Sequence, residues 1–159
     1  MTESGSVGAA TSGLSSKSHE SGIERIVVGF DASPSSARAS RLALALAAPR
    51  TGRIWFVHVS EADRRMAEPL TDEERDVPSR AILRGMEALV AEAKSRGLHA
   101  VALSREGPVA EVLLGAAREV NAGLITMGTR GRGDPSRALL GSVSAHVVAN
   151  TQVPVMVVP

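Results

Sequence analysis

The sequence predicts an α/β domain built on a doubly wound, five-stranded parallel sheet with helices on both faces. Short apolar segments alternate strictly with longer segments of helical periodicity, and no tight hairpin separates any two predicted strands. Strands joined by helices must run parallel, and right-handed crossovers place those helices on both faces of the sheet. Apolar residues make up 43% of the chain but aromatic residues only 2%. The core must therefore consist of Val, Leu, Ile and Ala, which suits helices packed on a buried parallel sheet.

The 159 residues divide into a tail and one domain. Residues 1–22 are dominated by Ser, Gly, Thr and Ala and have no periodic apolar face, so we expect a disordered tail. This tail lacks the basic start and the apolar centre of a secretory signal. Residues 23–159 have the size of a single domain with a complete core.

The first predicted strand, Arg25–Asp31, contains the unbroken apolar run that is typical of a strand buried on both faces. Ser33 and Pro34 follow it as a helix start, with serine as the N-cap and proline at the first helical position. That helix is Ala-rich and closes near Pro49. The second predicted strand, Arg53–Val59, is again β-branched and aromatic.

The second half of the chain repeats the alternation. A charged segment with two prolines predicts a long loop first, and helical spacing and apolar runs then predict the remaining elements. In order, they are a loop over Glu61–Pro78, a helix over Ser79–Arg96, a strand over His99–Ser104, a helix over Pro108–Val120, a strand over Leu124–Met127, a helix over Ser142–Asn150 and a strand over Val155–Val158.

A glycine motif indicates a binding site between the fourth strand and the last helix. Gly128, Gly131, Gly141 and Ser142 have the spacing G-x2-G-x9-G-S. Glycines leave no Cβ between main-chain N–H groups and a bound group, and the start of a helix attracts an anion. Each glycine alone could simply end a strand or loosen a loop. Together, with a serine hydroxyl after the last, they predict a phosphate cradle.

Asp31 ends the first strand and has two interpretations. If strands one and four are neighbours, it lies beside Gly128 and could accept hydrogen bonds from a ribose hydroxyl or an adenine amine. It could equally form the turn before Ser33. The sequence leaves both open. His58 alternates with two valines in the second strand, so we expect it to be packed and hydrogen-bonded.

The composition and the absence of certain motifs exclude or disfavour several classes of function. The net charge of +1 does not favour binding to nucleic acid or to an anionic membrane, and the absence of cysteine excludes disulfides and thiolate metal sites. No lysine follows a glycine in the GxxxxGK[ST] pattern of a P-loop. An enzyme that consumes ATP remains a rival interpretation. Efficient phosphoryl transfer usually needs metal held on carboxylates, and only Asp31 and Asp134 lie near the motif.

These segments resemble the universal stress protein family. The glycine motif is preceded by LITMGTRG and followed by a C-terminal VPVMVVP, while IVVGFDASPSS, WFVHVS and EGPVAEVL resemble other family segments. The resemblance covers residues 25–159 and implies the strand order 3-2-1-4-5. It also implies membership of the ATP-binding branch, with any Mg²⁺ bound through the phosphates.

The resemblance further assigns roles to individual residues. It places Asp31 against the nucleoside and the backbone of Val59 against the adenine. The residues that it places along the ribose and phosphates are Met127, Gly128, Gly131, Gly141, Ser142, Val143 and Ser144.

We therefore expect a cytoplasmic ATP-binding stress-response protein that signals through an unknown partner and is not an efficient enzyme. The alternatives are an enzyme that slowly hydrolyses ATP and a partner-binding module that does not use nucleotide. We also expect a homodimer formed through the C-terminal strand. Val155–Val158 is an unguarded apolar run that the implied strand order puts at an edge, and Pro154 and Pro159 limit its pairing to a few residues.

Overall fold

The computed structural model describes residues 22–60, 72–130 and 140–159. Apart from Gly22, the predicted disordered tail lies outside these residues. The elements are β1 (Arg25–Gly29), α1 (Pro34–Leu46), β2 (Arg53–Ser60), α2 (Asp72–Ser95), β3 (His99–Glu106), α3 (Val109–Glu119), β4 (Leu124–Gly128), α4 (Ser142–Asn150) and β5 (Val155–Val158). Within the described residues, no helix is long and apolar enough to cross a membrane.

The five strands form one parallel sheet in the order β3-β2-β1-β4-β5. The predicted fold class and strand order are thereby confirmed. The central strand β1 pairs with β2 on one side and with β4 on the other, so that Val28 lies opposite both Phe56 and Thr126. The first and fourth strands are therefore neighbours, as the predicted site requires.

Two apolar cores cover the two faces of the sheet. Consecutive residues of β1 alternate between them: Ile26 and Val28 pack in the core that includes α1 and α2, and Val27 packs in the core under α3. All three side chains are fully buried. This double burial explains why the first strand is apolar at successive positions instead of alternating with polar residues.

One predicted boundary is wrong. The segment Glu61–Pro78 was expected to be a loop throughout, but α2 already begins at Asp72 and continues through Pro78. Its first residues in the sequence, 72–74, are acidic, and acidic residues are favourable at the positive end of a helix. A proline weakens a helix locally without always ending it. Residues 61–71 lie outside the described part of the chain.

Smaller differences concern the strand ends. β2 and β3 are longer than predicted and stay in register as far as Ser60 opposite Glu106. β1 is shorter, ending at Gly29, so Asp31 belongs to the turn that follows it.

Candidate functional site

The crevice at the carboxyl ends of β1 and β4 is the switch point of the sheet. From β1 the chain crosses to β2 on one side, whereas β4 lies on the other side. In open parallel sheets, ligands bind at this point. The structure brings the turn after β1, the end of β4 and the start of α4 to this edge, and with them most of the predicted site residues.

The turn between β1 and α1 is closed by its own polar groups. The Ser33 N–H donates to Oδ1 of Asp31 over 3.0 Å, and the Ser36 N–H donates to Oγ of Ser33 over 3.2 Å. Ala32 between them has a φ of +60°, in the left-handed region. Such a conformation costs a non-glycine residue about 1 kcal/mol, and it occurs here at the edge of the sheet that carries the candidate site. The turn-forming interpretation of Asp31 is thus seen directly, and its role toward a ligand stays a prediction.

Buried serines extend this network from α1 to the loop after β4. The hydroxyls of Ser33 and Ser35 lie 3.1 Å apart, and Ser35 Oγ donates to the Arg130 carbonyl over 2.9 Å. Ser36 Oγ donates to the Ser33 carbonyl over 3.1 Å. Sequence reasoning missed Ser35, although a serine-rich helix start was the available signal. Side-chain hydroxyls therefore cap the Ser36 N–H and tie the start of α1 to the loop after β4.

Gly128 is required by packing at this junction. A Cβ at this position would lie 2.4 Å from Ser35 Oγ, 2.9 Å from Ser35 Cβ and 3.0 Å from the backbone nitrogen of Ser36. No side chain fits there unless the end of β4 moves away from α1. The sequence predicts a glycine here because a ligand needs the room. The structure adds a second reason, which is that the end of β4 closely approaches the start of α1.

The start of α4 is arranged differently. Its N-cap, Gly141, has no side chain to cap the helix, and its own N–H donates to the Thr129 carbonyl over 2.8 Å. Among the described residues, the N–H groups of Ser142 and Val143 have no hydrogen-bond acceptor. They lie at the positive end of a helix next to the end of β4, where an anion is favoured.

Ser144 holds this helix start in place. Its hydroxyl donates to the carbonyls of Thr129 and Gly141, over 2.9 Å and 3.0 Å, and the side chain is only 2% exposed. The family resemblance implies that this hydroxyl contacts the ligand. In the structure that hydroxyl ties the two ends of the loop between β4 and α4 together. Ser142, by contrast, is exposed.

Val59 and Met127 border the crevice on the face that carries α3. Val59 is half-buried in β2, and Met127 is buried in β4. A Cβ at Gly29, which lies between their strands, would be 3.5 Å from Met127 Cβ. His58 Nδ1 lies 3.1 Å from the Phe30 carbonyl oxygen, which confirms that this histidine is hydrogen-bonded.

Gly131 lies outside the described part of the chain, in the segment 131–139. Among the residues whose side chains the structure describes, no group of three or more His, Asp or Glu side chains is arranged to hold a metal ion.

The universal stress protein family model matches residues 22–159. The chain belongs to the universal stress protein family. A relative from Thermus aquaticus, the universal stress protein in the QAH/OAS sulfhydrylase 3′ region, is 35% identical over 142 residues, which cover 86% of this chain and 98% of that protein.

Solved structures agree with the fold of this universal stress protein. The hypothetical protein MJ0577 superimposes with a TM-score of 0.75 at 22% identity, covering 85% of this chain and 94% of that one. A universal stress protein in complex with cAMP superimposes with a TM-score of 0.65 at 26% identity, covering 87% and 99%.

Proposed function

We propose that this protein binds ATP in the crevice between β1 and β4 and acts as a nucleotide-dependent stress-response module in the cytoplasm. The observation that carries the proposal is the uncapped start of α4, where the N–H groups of Ser142 and Val143 lack acceptors among the described residues. Unpaired donors at the positive end of a helix bind phosphate. The related protein solved in complex with cAMP supports a nucleotide as the ligand class.

Each part of the crevice fits one part of the nucleotide. The phosphates would take the donors at Ser142 and Val143, and Gly141 leaves the approach free of a side chain. The adenine would lie near the backbone of Val59, and Asp31 would accept a hydrogen bond from the nucleoside. Mg²⁺, when present, would be bound through the phosphates and would offset their charge.

We propose binding rather than efficient hydrolysis. Hydrolysis requires an oriented water molecule and groups that neutralise the charge developing on the transferred phosphoryl group. Asp31, a carboxylate beside the crevice, is assigned to the nucleoside in this proposal and not to the phosphates. A stable ATP-bound state of this kind could be recognised by a partner protein.

The direct test is the nucleotide content of the protein. Protein purified without added ligand should release ATP on denaturation, and titration calorimetry on stripped protein should show saturable ATP binding. A protein that carries no nucleotide and gives no heat with ATP, ADP or AMP would contradict the proposal and favour a partner-binding module that does not use nucleotide.

We also propose that the protein is a homodimer joined through β5. This strand lies at an edge of the sheet, and Val155, Met156 and Val157 are only half-buried. Exposed apolar side chains occur on the helices of both faces, with Leu42 of α1 at 42% and Val148 of α4 at 45% exposure. A second copy placed by a two-fold axis would cover this edge.

Val157→Asp should convert the dimer to a monomer, because it puts a charge at the centre of the proposed interface. Analytical ultracentrifugation at micromolar concentration measures this directly. The wild type should sediment as a dimer; a wild type that is monomeric both with and without ATP would rule the interface out.

A further inference from the structure

The sheet face that carries α3 is partly open over the amino-terminal halves of β2 and β3. The amino-terminal halves of β2 and β3 border an open groove of about 190 Å³, lined by Arg53, Ile54, Trp55, His99 and Val101. Trp55 is half-buried, and Val101 is 47% exposed. This groove lies at the opposite end of the strands from the proposed nucleotide crevice, so it is not part of that crevice.

The side chains that line the groove form two rows, which follow from the register of β2 and β3. Arg53 lies opposite His99, and two residues further on Trp55 lies opposite Val101. Neighbouring residues in a parallel register share a face, so a polar, basic row is followed by an apolar row. Arg25 of β1 lies opposite Arg53 and extends the basic row. Neither Arg53 nor His99 has an ion-pair partner among the described residues.

β3 borders the groove with an open edge. It is the outermost strand on its side of the sheet, has eight residues without proline, and is exposed at most positions. Within the described part of the chain, β2 is the only strand paired with it. An unpaired strand edge presents N–H and C=O groups that can accept another strand.

We propose that this edge binds an extended acidic segment of a partner protein, which adds as a strand beside β3. An acidic residue of that segment would lie beside His99, where the long Arg53 side chain can reach it across β3, and an apolar residue two positions away would lie beside Val101, next to Trp55 of β2. In strand addition, main-chain hydrogen bonds supply affinity and alternate side chains supply specificity. The basic row decides the charge of the occupant, because complementary charge selects partners. This proposal does not depend on nucleotide binding.

A second copy of this chain is a poorer occupant. With both copies showing the same face, antiparallel pairing of residues 99–105 about a two-fold axis sets His99 opposite Arg105 of the other copy. This pairing gives neither side chain an opposite charge. A partner strand with acidic residues at these positions supplies one, and opposite charges across a strand pair stabilise a sheet.

Trp55 provides the test, because it is the only tryptophan and the chain has no tyrosine. The probe is a synthetic peptide of about eight residues with glutamate and valine two positions apart and threonine between them. Its binding should shift the indole emission to shorter wavelength and saturate. The same peptide N-methylated on alternate amides should lose binding, since it cannot pair with the strand edge.

Charge-reversal variants complete the experiment. Arg53→Glu should weaken the acidic peptide at least about tenfold and should gain binding to a peptide with lysine in place of glutamate. Arg41→Glu, on the exposed side of α1, is the matched control and should bind like the wild type. Gly141→Glu should bind the peptide normally, which separates this site from the nucleotide crevice.

Three results would overturn the proposal. The first is equal affinity of the wild type for the acidic and the lysine peptide, which would remove the role of the basic row. The second is unchanged Trp55 emission at millimolar peptide. The third is a dimer that Val101→Asp, but not Val157→Asp, converts to a monomer, because the β3 edge would then be occupied by a second copy.

Discussion

The starts of α1 and α4 lie at the same edge of the sheet but are completed in opposite ways. At α1, the Ser33 hydroxyl accepts from the Ser36 N–H, and Ser35 and Ser36 add further hydrogen bonds within the protein. At α4, the cap is Gly141, which has no side chain to offer. Both starts have the dipole that attracts an anion. The start of α4, which has no side-chain cap, leaves more of its donors available to a ligand.

The two helix starts therefore have different roles at the switch point. Hydroxyls of α1 bind the turn after β1 and the loop after β4 into one rigid junction, with Ser35 donating to the Arg130 carbonyl. At α4, Ser144 has the corresponding structural role. Its hydroxyl donates to the carbonyls of Thr129 and Gly141 and does not contact the N–H groups of Ser142 and Val143. A serine-rich start therefore stabilises the fold, and a glycine start provides the proposed phosphate site.

Gly141→Glu should produce the largest effect on binding. The carboxylate would occupy the uncapped start of α4 and repel phosphate, so ATP affinity should fall at least about 100-fold, or ~2.7 kcal/mol. Circular dichroism should show an intact fold. Gly115→Glu is the matched control, because a Cβ there meets nothing closer than Arg118 Nη2 at 4.0 Å. Wild-type affinity in a folded Gly141→Glu variant would show that α4 is not the phosphate site.

Gly128→Ala should produce the largest effect on stability. Its Cβ would clash with Ser35 and force β4 away from α1, at a cost of about 2–3 kcal/mol in the free energy of unfolding. Urea denaturation measures this cost. Adding Ser35→Gly should recover part of it by removing the clashing atoms. If Gly128→Ala instead kept full stability and lost only ATP binding, the packing explanation would be wrong.

Asp31→Ala should weaken ATP, ADP and AMP by a similar factor, because the proposed partner of the carboxylate is the nucleoside. A hydrogen bond to a charged group contributes about 1.5–3 kcal/mol. Asp31→Asn keeps an acceptor for the Ser33 N–H and therefore separates loss of the turn from loss of the ligand contact. A loss confined to ATP in calorimetry would move Asp31 to the phosphate end.

Ser33→Ala should have the smallest effect, and only on stability. Removing this N-cap should lower the free energy of unfolding by about 1 kcal/mol while nucleotide affinity stays unchanged. Urea denaturation and calorimetry on the same preparation test both parts. A large loss of ATP affinity would erase the contrast between the two helix starts.

The sequence by itself determined the class of the fold and predicted the position of the candidate site. Strict alternation of strands and helices, with an apolar run over Ile26–Val28, requires a parallel sheet covered on both faces. The glycine spacing from Gly128 to Ser142 identified the family and the segment next to the proposed ligand. These signals are local, because periodicity, caps and glycines act on neighbouring residues.

Only the tertiary structure decided which residues meet. Ser35 and Arg130 are 95 positions apart in the chain, yet their hydrogen bond closes the junction at α1. The packing reason for Gly128 and the pairing of Trp55 with Val101 likewise depend on elements brought together by the sheet. Long-range contacts leave no periodic pattern in a single sequence. For that reason the sequence could predict a phosphate cradle, but not how the two helix starts differ in the donors that they leave to a ligand.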